Sequence, residues 1–179
     1  MRLAFFGGSC IMGTVLEGGG CVFRKMMRQK QQISDAECIE ILKNEKRGVL
    51  SVLGDDGYPY GMPLNHFYCE EDGKLYFHSG GAGHKIDAIR REPKASFCVM
   101  DGGFRREGEW ALNIKSVIVF GKISIVEDRE TVYAICRRLS RKFTDDEAYI
   151  QREIEKSGPA TLLFALTPET MTGKLVNEA

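Results

Sequence analysis

The chain has no surplus of either charge: 25 lysines and arginines face 25 aspartates and glutamates. Proteins whose main partner is nucleic acid carry a basic excess, so that class is set aside. Nor is there an uninterrupted apolar run of spanning length, and no membrane partner is expected. The six cysteines (Cys10, Cys21, Cys38, Cys69, Cys98 and Cys136) never form a C-x-x-C pair. Scattered through core-like positions, they point to reduced thiols in a cytoplasmic protein rather than a disulfide scaffold. Tryptophan occurs once, at Trp110, and no repeat or low-complexity tract interrupts the sequence. What is present is ordinary for one globular domain: 179 residues, 43% of them hydrophobic and 28% charged.

The first 25 residues, MRLAFFGGSCIMGTVLEGGGCVFRK, differ from the rest in being apolar yet broken by glycines. They are too short and interrupted for a spanning helix and lack a clear cleavage site. Residues 1–32 are therefore expected to be an extension, disordered or not native, with a start at Met26 or Met27. A single domain is expected over 33–179.

Within it, Ser34 and Glu37 make a capping box, and Ile33 and Cys38 a hydrophobic staple, for a helix from Asp35 to Asn44. The run GVLSVL reads as a strand closed by the turn residues Gly54 to Gly57. A second strand is expected from Tyr60 to Tyr68, at an edge or bulge because of Pro59 and Pro63. Further strands are expected at Leu75–His78, at Ala95–Met100, from Trp110 through SVIVFGKISIVE with a bend at Gly121, and at Thr161–Leu166 before a polar tail. Asp128 should cap a helix whose stripe is Val132, Ile135, Cys136, Leu139 and Phe143, and Thr144 with Glu147 a shorter one. The basic run Arg137, Arg138, Arg141 and Lys142 reads as a solvated helix face. About six strands joined by short turns, with four helices, predict a mainly β fold: an antiparallel barrel with peripheral helices.

The chemistry concentrates in KLYFHSGGAGHKIDAIRREP, Lys74 to Pro93. A strand feeds a glycine loop and then a helix that opens at His84 and Lys85. Free backbone N–H groups, the Ser79 hydroxyl and a lysine ammonium then converge on one point, which suits a phosphate.

That segment, together with the PLNHFY strand, SVIVFGKI and the terminal MTGK, resembles the flavin-binding split-barrel proteins. Within them the chain is most similar to the nitroimidazole-resistance (Nim) branch, related to pyridoxamine 5'-phosphate oxidase, over roughly Ile33 to Lys174. The resemblance implies a six-stranded antiparallel split β-barrel that forms a homodimer with FMN at the interface. It places His78 and Ser79 beside the ribityl phosphate, and His84 and Lys85 on the phosphate itself, with His84 standing where the family has arginine. It lays Gly61, Met62, Pro63, Leu64 and Asn65 along the isoalloxazine face and puts Ser116 at the ring edge.

The activity it implies is that of an FMN-dependent oxidoreductase, a flavin reductase or nitroreductase-like protein passing hydride from NAD(P)H or another donor to a small electron acceptor. The alternative is a non-catalytic flavin or haem binding protein, or a redox sensor. Pyridoxamine phosphate oxidation itself is disfavoured, because the chain carries MTGKLVNEA where that enzyme has a basic, aromatic segment. His66 is the candidate catalytic residue, as a proton donor near the flavin, against an equally open structural role. Trp110 either covers the ring from the partner subunit or packs at the barrel mouth. His66, Cys69, His78 and His84 match no zinc spacing, and no metal is expected.

Overall fold

Alternation of apolar and polar residues dominates the computed structural model, which describes residues 23–178. The expectation for residues 1–32 thus falls mostly outside the described residues. Seven strands are present: β1 (Arg47–Leu53), β2 (Pro59–Asn65), β3 (Phe67–Cys69), β4 (Lys74–Gly80), β5 (Lys94–Met100), β6 (Asn113–Val126) and β7 (Thr161–Asn177). Four α-helices accompany them: α1 (Asp35–Asn44), α2 (His84–Arg91), α3 (Arg129–Arg141) and α4 (Glu147–Ser157). All strand pairs are antiparallel, in the order β2-β1-β5-β6-β7-β4-β3.

That order carries a geometric demand. The strands β2 and β3 lie at opposite ends of it, yet only His66 separates them in sequence. The sheet must therefore curl until its two edges meet. Its concave interior holds the main core, with Leu50, Leu75, Phe77, Phe97, Val117, Val119 and Phe164 fully buried. Phe77 packs edge-on against Phe97 and stacks with Phe164. Burying such side chains contributes about 1.5–3 kcal/mol each relative to exposure.

The predicted barrel with helices stands, with three corrections. The single strand expected from Tyr60 to Tyr68 is broken at His66, which accounts for seven strands instead of six. Asn65 and His66 stand at the break, but either can occupy a strand position, so periodicity alone does not reveal it. The polar tail after Leu166 is instead the second half of β7, paired with β6 from Ser116↔Lys174 to Phe120↔Thr170. Its backbone bonds to β6 outweigh its weak strand propensity. Finally, α4 is capped by Asp146, whose carboxylate accepts from Tyr149 N–H, and not by Thr144.

The other local readings hold. Ser34 and Glu37 form the capping box, and Asp128 caps α3. The register of β6 and β7 slips at Phe120/Gly121. A Cβ on Gly121 would lie 2.1 Å from the Thr167 carbonyl oxygen, so only glycine permits this approach. Of the α3 stripe, Val132, Ile135 and Leu139 are buried, whereas Phe143 lies past the helix and is 37% exposed.

Upstream of α1, Gln32 bridges Lys174 and Ile33 N–H donates to Gly173 O. Cys38, Cys69, Cys98 and Cys136 are unbridged thiols. Among the described residues no helix is long and apolar enough to cross a membrane.

Candidate functional site

The phosphate-type stretch folds as its sequence implies. The strand β4 runs to Gly80, an open loop follows, and α2 begins at His84 with Gly83 as N-cap at φ 119°. No side chain caps α2. A Cβ at Gly80, Gly81 or Gly83 would meet nothing within 4 Å, so the space before the helix is open to a ligand. Uncapped N–H groups at a helix start favour an anion, here with the Lys85 ammonium alongside. Ile86, Ala88 and Ile89 anchor the helix by burial, which leaves His84 and Lys85 at the rim.

His84 is already engaged. Its ring stacks on Tyr60, centroids 4.3 Å apart, and its Nε2 lies 3.4 Å from the Asp55 carboxylate. Arg91 donates to the same carboxylate at 3.1 Å and to Leu53 O at 3.1 Å, binding α2 to the β1–β2 turn. His84 thus orients the helix start against β2 as well as facing the open loop. Tyr60 and Asp55 were not singled out from sequence; a turn aspartate and an inward-facing tyrosine carry no signal until the hairpin is placed beside α2.

His78 lies on the outer face of β4, paired with Leu163, and Ser79 turns to the barrel side, paired with Leu162. Desolvation of the His78 ring, and then the nearby Lys85 charge, lower its pKa. His78 is therefore mostly neutral at pH 7.

In β2, Gly61 and Pro63 face outward and Asn65 is half-buried, whereas Met62 points into the core at 6% exposure with Leu64 on the same side. The outward residues belong to two rows crossing five strands. Pro63, Val49, Cys98, Ile118 and Thr172 form one; Gly61, Ser51, Ser96, Phe120 and Thr170 the other. Val49, Met100, Ile118 and Phe120 are 41%, 61%, 38% and 42% exposed on this face. It is a surface of small and apolar side chains interspersed with the hydroxyls of Ser51, Ser96, Thr170 and Thr172, and Phe23 stacks on Phe120 there with ring centroids 5.7 Å apart.

Ser116 lies on the same face, between Met100 and Lys174. Along β7, however, its partner Lys174 is twelve residues beyond Leu162, the partner of Ser79. That separation is about 40 Å of strand contour. Within one chain His84 lies against Tyr60 of β2, while Ser116 sits on β6 opposite Lys174, twelve β7 residues from the partner of Ser79.

His66 is elsewhere again. Its ring is fully buried, tilted against Phe97 at 4.7 Å, with Nε2 donating to Leu42 O at 2.8 Å and Nδ1 unpartnered. Burial first, then the Lys142 charge, push its pKa down to about 4. Lys142 and Arg138 are not the solvated residues expected from their run. Lys142 donates to the carbonyls of Glu45, His66 and Leu42, and Arg138 grips both Glu71 oxygens while lying over Phe67. Trp110 is 83% exposed, on a loop where Arg105 donates to its carbonyl. Among the described residues no group of His, Cys, Asp or Glu is placed to hold a metal ion.

A curled antiparallel sheet whose fourth strand opens into an anion-ready helix start is the architecture of the split-barrel proteins. A family model described as pyridoxamine 5'-phosphate oxidase matches residues 34–175, and the chain belongs to that family. No curated protein matches it.

Among solved structures it is similar to a protein assigned to 5-nitroimidazole antibiotic resistance from Bacteroides thetaiotaomicron. That match has 21% identity and a TM-score of 0.67 over 82% of this chain and 87% of that one. It is also similar to a FAD-binding protein from Mesorhizobium loti, at 25% identity and TM-score 0.58 over 82% and 97%. A flavocytochrome from Azotobacter vinelandii matches at 18% identity and TM-score 0.66 over 85% and 72%.

Proposed function

We propose that the protein is an FMN-dependent oxidoreductase, a reductase of the nitroimidazole-resistance type, working as a cytoplasmic homodimer. The observation that carries the reading is the open, uncapped start of α2 with Lys85 beside it, at the margin of a flat outward face. The residues fit the cofactor. Backbone N–H groups at 84 and 85, the Lys85 ammonium and the Ser79 hydroxyl would hold its phosphate, while Gly61, Pro63 and Asn65 would flank the ring.

The remoteness of Ser116 from Lys85 in one chain supports a dimer, in which Ser116 would reach the ring edge from the second copy. The bare face through Val49, Cys98, Ile118 and Phe120 would be the surface that the copies share. When bound, FMN would supply the redox chemistry, taking two electrons from a donor such as NAD(P)H and giving them to an electron-poor acceptor. The protein's part is to bind, orient and shield. His66 would serve structurally, since its buried ring is occupied with Leu42 O.

A visible spectrum of the purified protein tests the reading. Two flavin bands, bleached on anaerobic mixing with NADPH, are the expected result. A Soret band would favour the second reading, a haem binding protein, which the flavocytochrome's similarity keeps in view. A colourless protein that ignores added FMN would defeat both.

A further inference from the structure

The corner at His66 is where the two edges of the sheet meet, and three separate segments are fastened there. Lys142, at the end of α3, donates from Nζ to Glu45 O at 2.5 Å, His66 O at 3.2 Å and Leu42 O at 3.5 Å. The imidazole of His66 donates to the same Leu42 carbonyl, and His66 N–H donates to Lys46 O at 3.4 Å. One ammonium thus joins the end of α1, the end of α3 and the residue directly after Asn65. Among the described residues β2 pairs with β1 alone, from Pro59↔Leu53 to Asn65↔Arg47, and the corner ties its far end to α1 and α3 as well.

We propose that Lys142 is a positioning residue for the flavin-facing strand β2, holding Gly61 to Asn65 in register with the phosphate-binding start of α2. The inference rests on the flavin reading above. Its physical basis is donor count. A protonated amine has three N–H donors for three carbonyls, whereas a neutral amine has two and turns a lone pair towards the third. Burial, and then the charge of Lys46, lower the Lys142 pKa to about 8 against the support of Glu45. The other groups around it are the neutral His66 from the corner and, on α3, Arg138 and Arg141, which are directed to Glu71 and Glu147. Raising the pH through 8 therefore removes one tether from the corner.

The sign for overall stability is opposite. A lysine whose pKa is lower in the folded than in the unfolded chain makes folding more favourable as pH rises from about 8 to its ordinary 10.5. Loss of flavin affinity with no loss of stability is then the signature of positioning.

The experiment measures FMN dissociation constants by flavin fluorescence, with thermal unfolding alongside, for the full chain at pH 7 and pH 9. In the wild type, affinity should fall about fivefold over that interval, the worth of one neutral hydrogen bond, while the melting temperature does not fall relative to Lys142→Arg. Lys142→Arg, charged throughout, should bind equally at both pH values. Lys142→Met, which has none of the three donors, should bind more than about fivefold more weakly than wild type at pH 7, with no further loss at pH 9. Wild-type binding that is pH-independent and matched by Lys142→Met would overturn the inference while leaving the flavin site intact. Absence of FMN binding by the wild type at pH 7 would overturn the flavin reading itself, and the inference with it.

Discussion

The convex side of this sheet is treated in two opposite ways. Behind β3, β4 and the start of β7 it is roofed by α3, where Cys69, Tyr76, Val132, Ile135, Leu163 and Ala165 form a second core. Across β1, β2, β5 and β6 no helix among the described residues covers the same convex side; Phe23 stacks on Phe120, and Val49, Met100, Ile118 and Phe120 stay partly exposed. Both halves alternate inward and outward residues, yet among the described residues only one half is roofed by a helix. A large apolar patch without cover marks an interaction surface.

The sharpest way to break that contrast is to place a charge in each half. On the bare half, Ile118→Asp should weaken self-association by a hundredfold or more, about 3 kcal/mol, with the monomer still folded. Sedimentation velocity with circular dichroism checks both points. On the roofed half, Leu163→Ala should instead lower folding stability by about 2–5 kcal/mol with no selective effect on association, as read by denaturant titration. Equal effects of both substitutions on association would erase the distinction.

The corner that joins the halves supplies a pH test. His66 has a folded pKa of about 4 against an ordinary 6.5, because burial disfavours its charged form. The unfolded chain binds the extra proton first, so this contribution is complete above pH 6.5 and is lost as pH falls through 4. The loss should be about 3 kcal/mol, and His66→Gln should flatten that part of the stability profile. An acid limb unchanged by the substitution would place the sensitivity elsewhere.

At the rim between the halves, Lys85→Ala should weaken FMN binding by about 1–3 kcal/mol, the size of a charge-assisted hydrogen bond. Isothermal titration checks this. Unchanged affinity would move the phosphate away from α2.

Much of this arrangement was legible in the sequence because it is written locally. The capping residues Ser34 and Asp128, the glycine loop before His84 and the α3 stripe all act within a turn or two of themselves. What was not legible depends on distant partners. The second half of β7 contains Thr167, Glu169 and Thr170 and looks like a tail until β6 is laid beside it.

The break at His66 has no local signal, since its cause is that β1 and β4 lie at different places in the sheet. The candidate site divides along the same line. Ser79, His84 and Lys85 are near in sequence and near in space, whereas the distance from them to Ser116 is set by register along β7. Lys142 resembles its exposed basic neighbours, and only the folded carbonyls around it distinguish it.

Pro59 and Pro63, which first served to place β2 at an edge, bear on a different hazard. Unpaired edge strands recruit other chains and grow into aggregates. Among the described residues β2 pairs with β1 alone, and its two prolines face Leu53 and Val49 there, so two of its positions have no N–H to offer an intruding strand. The vulnerable edge of the barrel is thereby blunted against indiscriminate strand addition. Replacing Pro59 and Pro63 would restore two edge N–H groups and make the protein more prone to form fibres on storage.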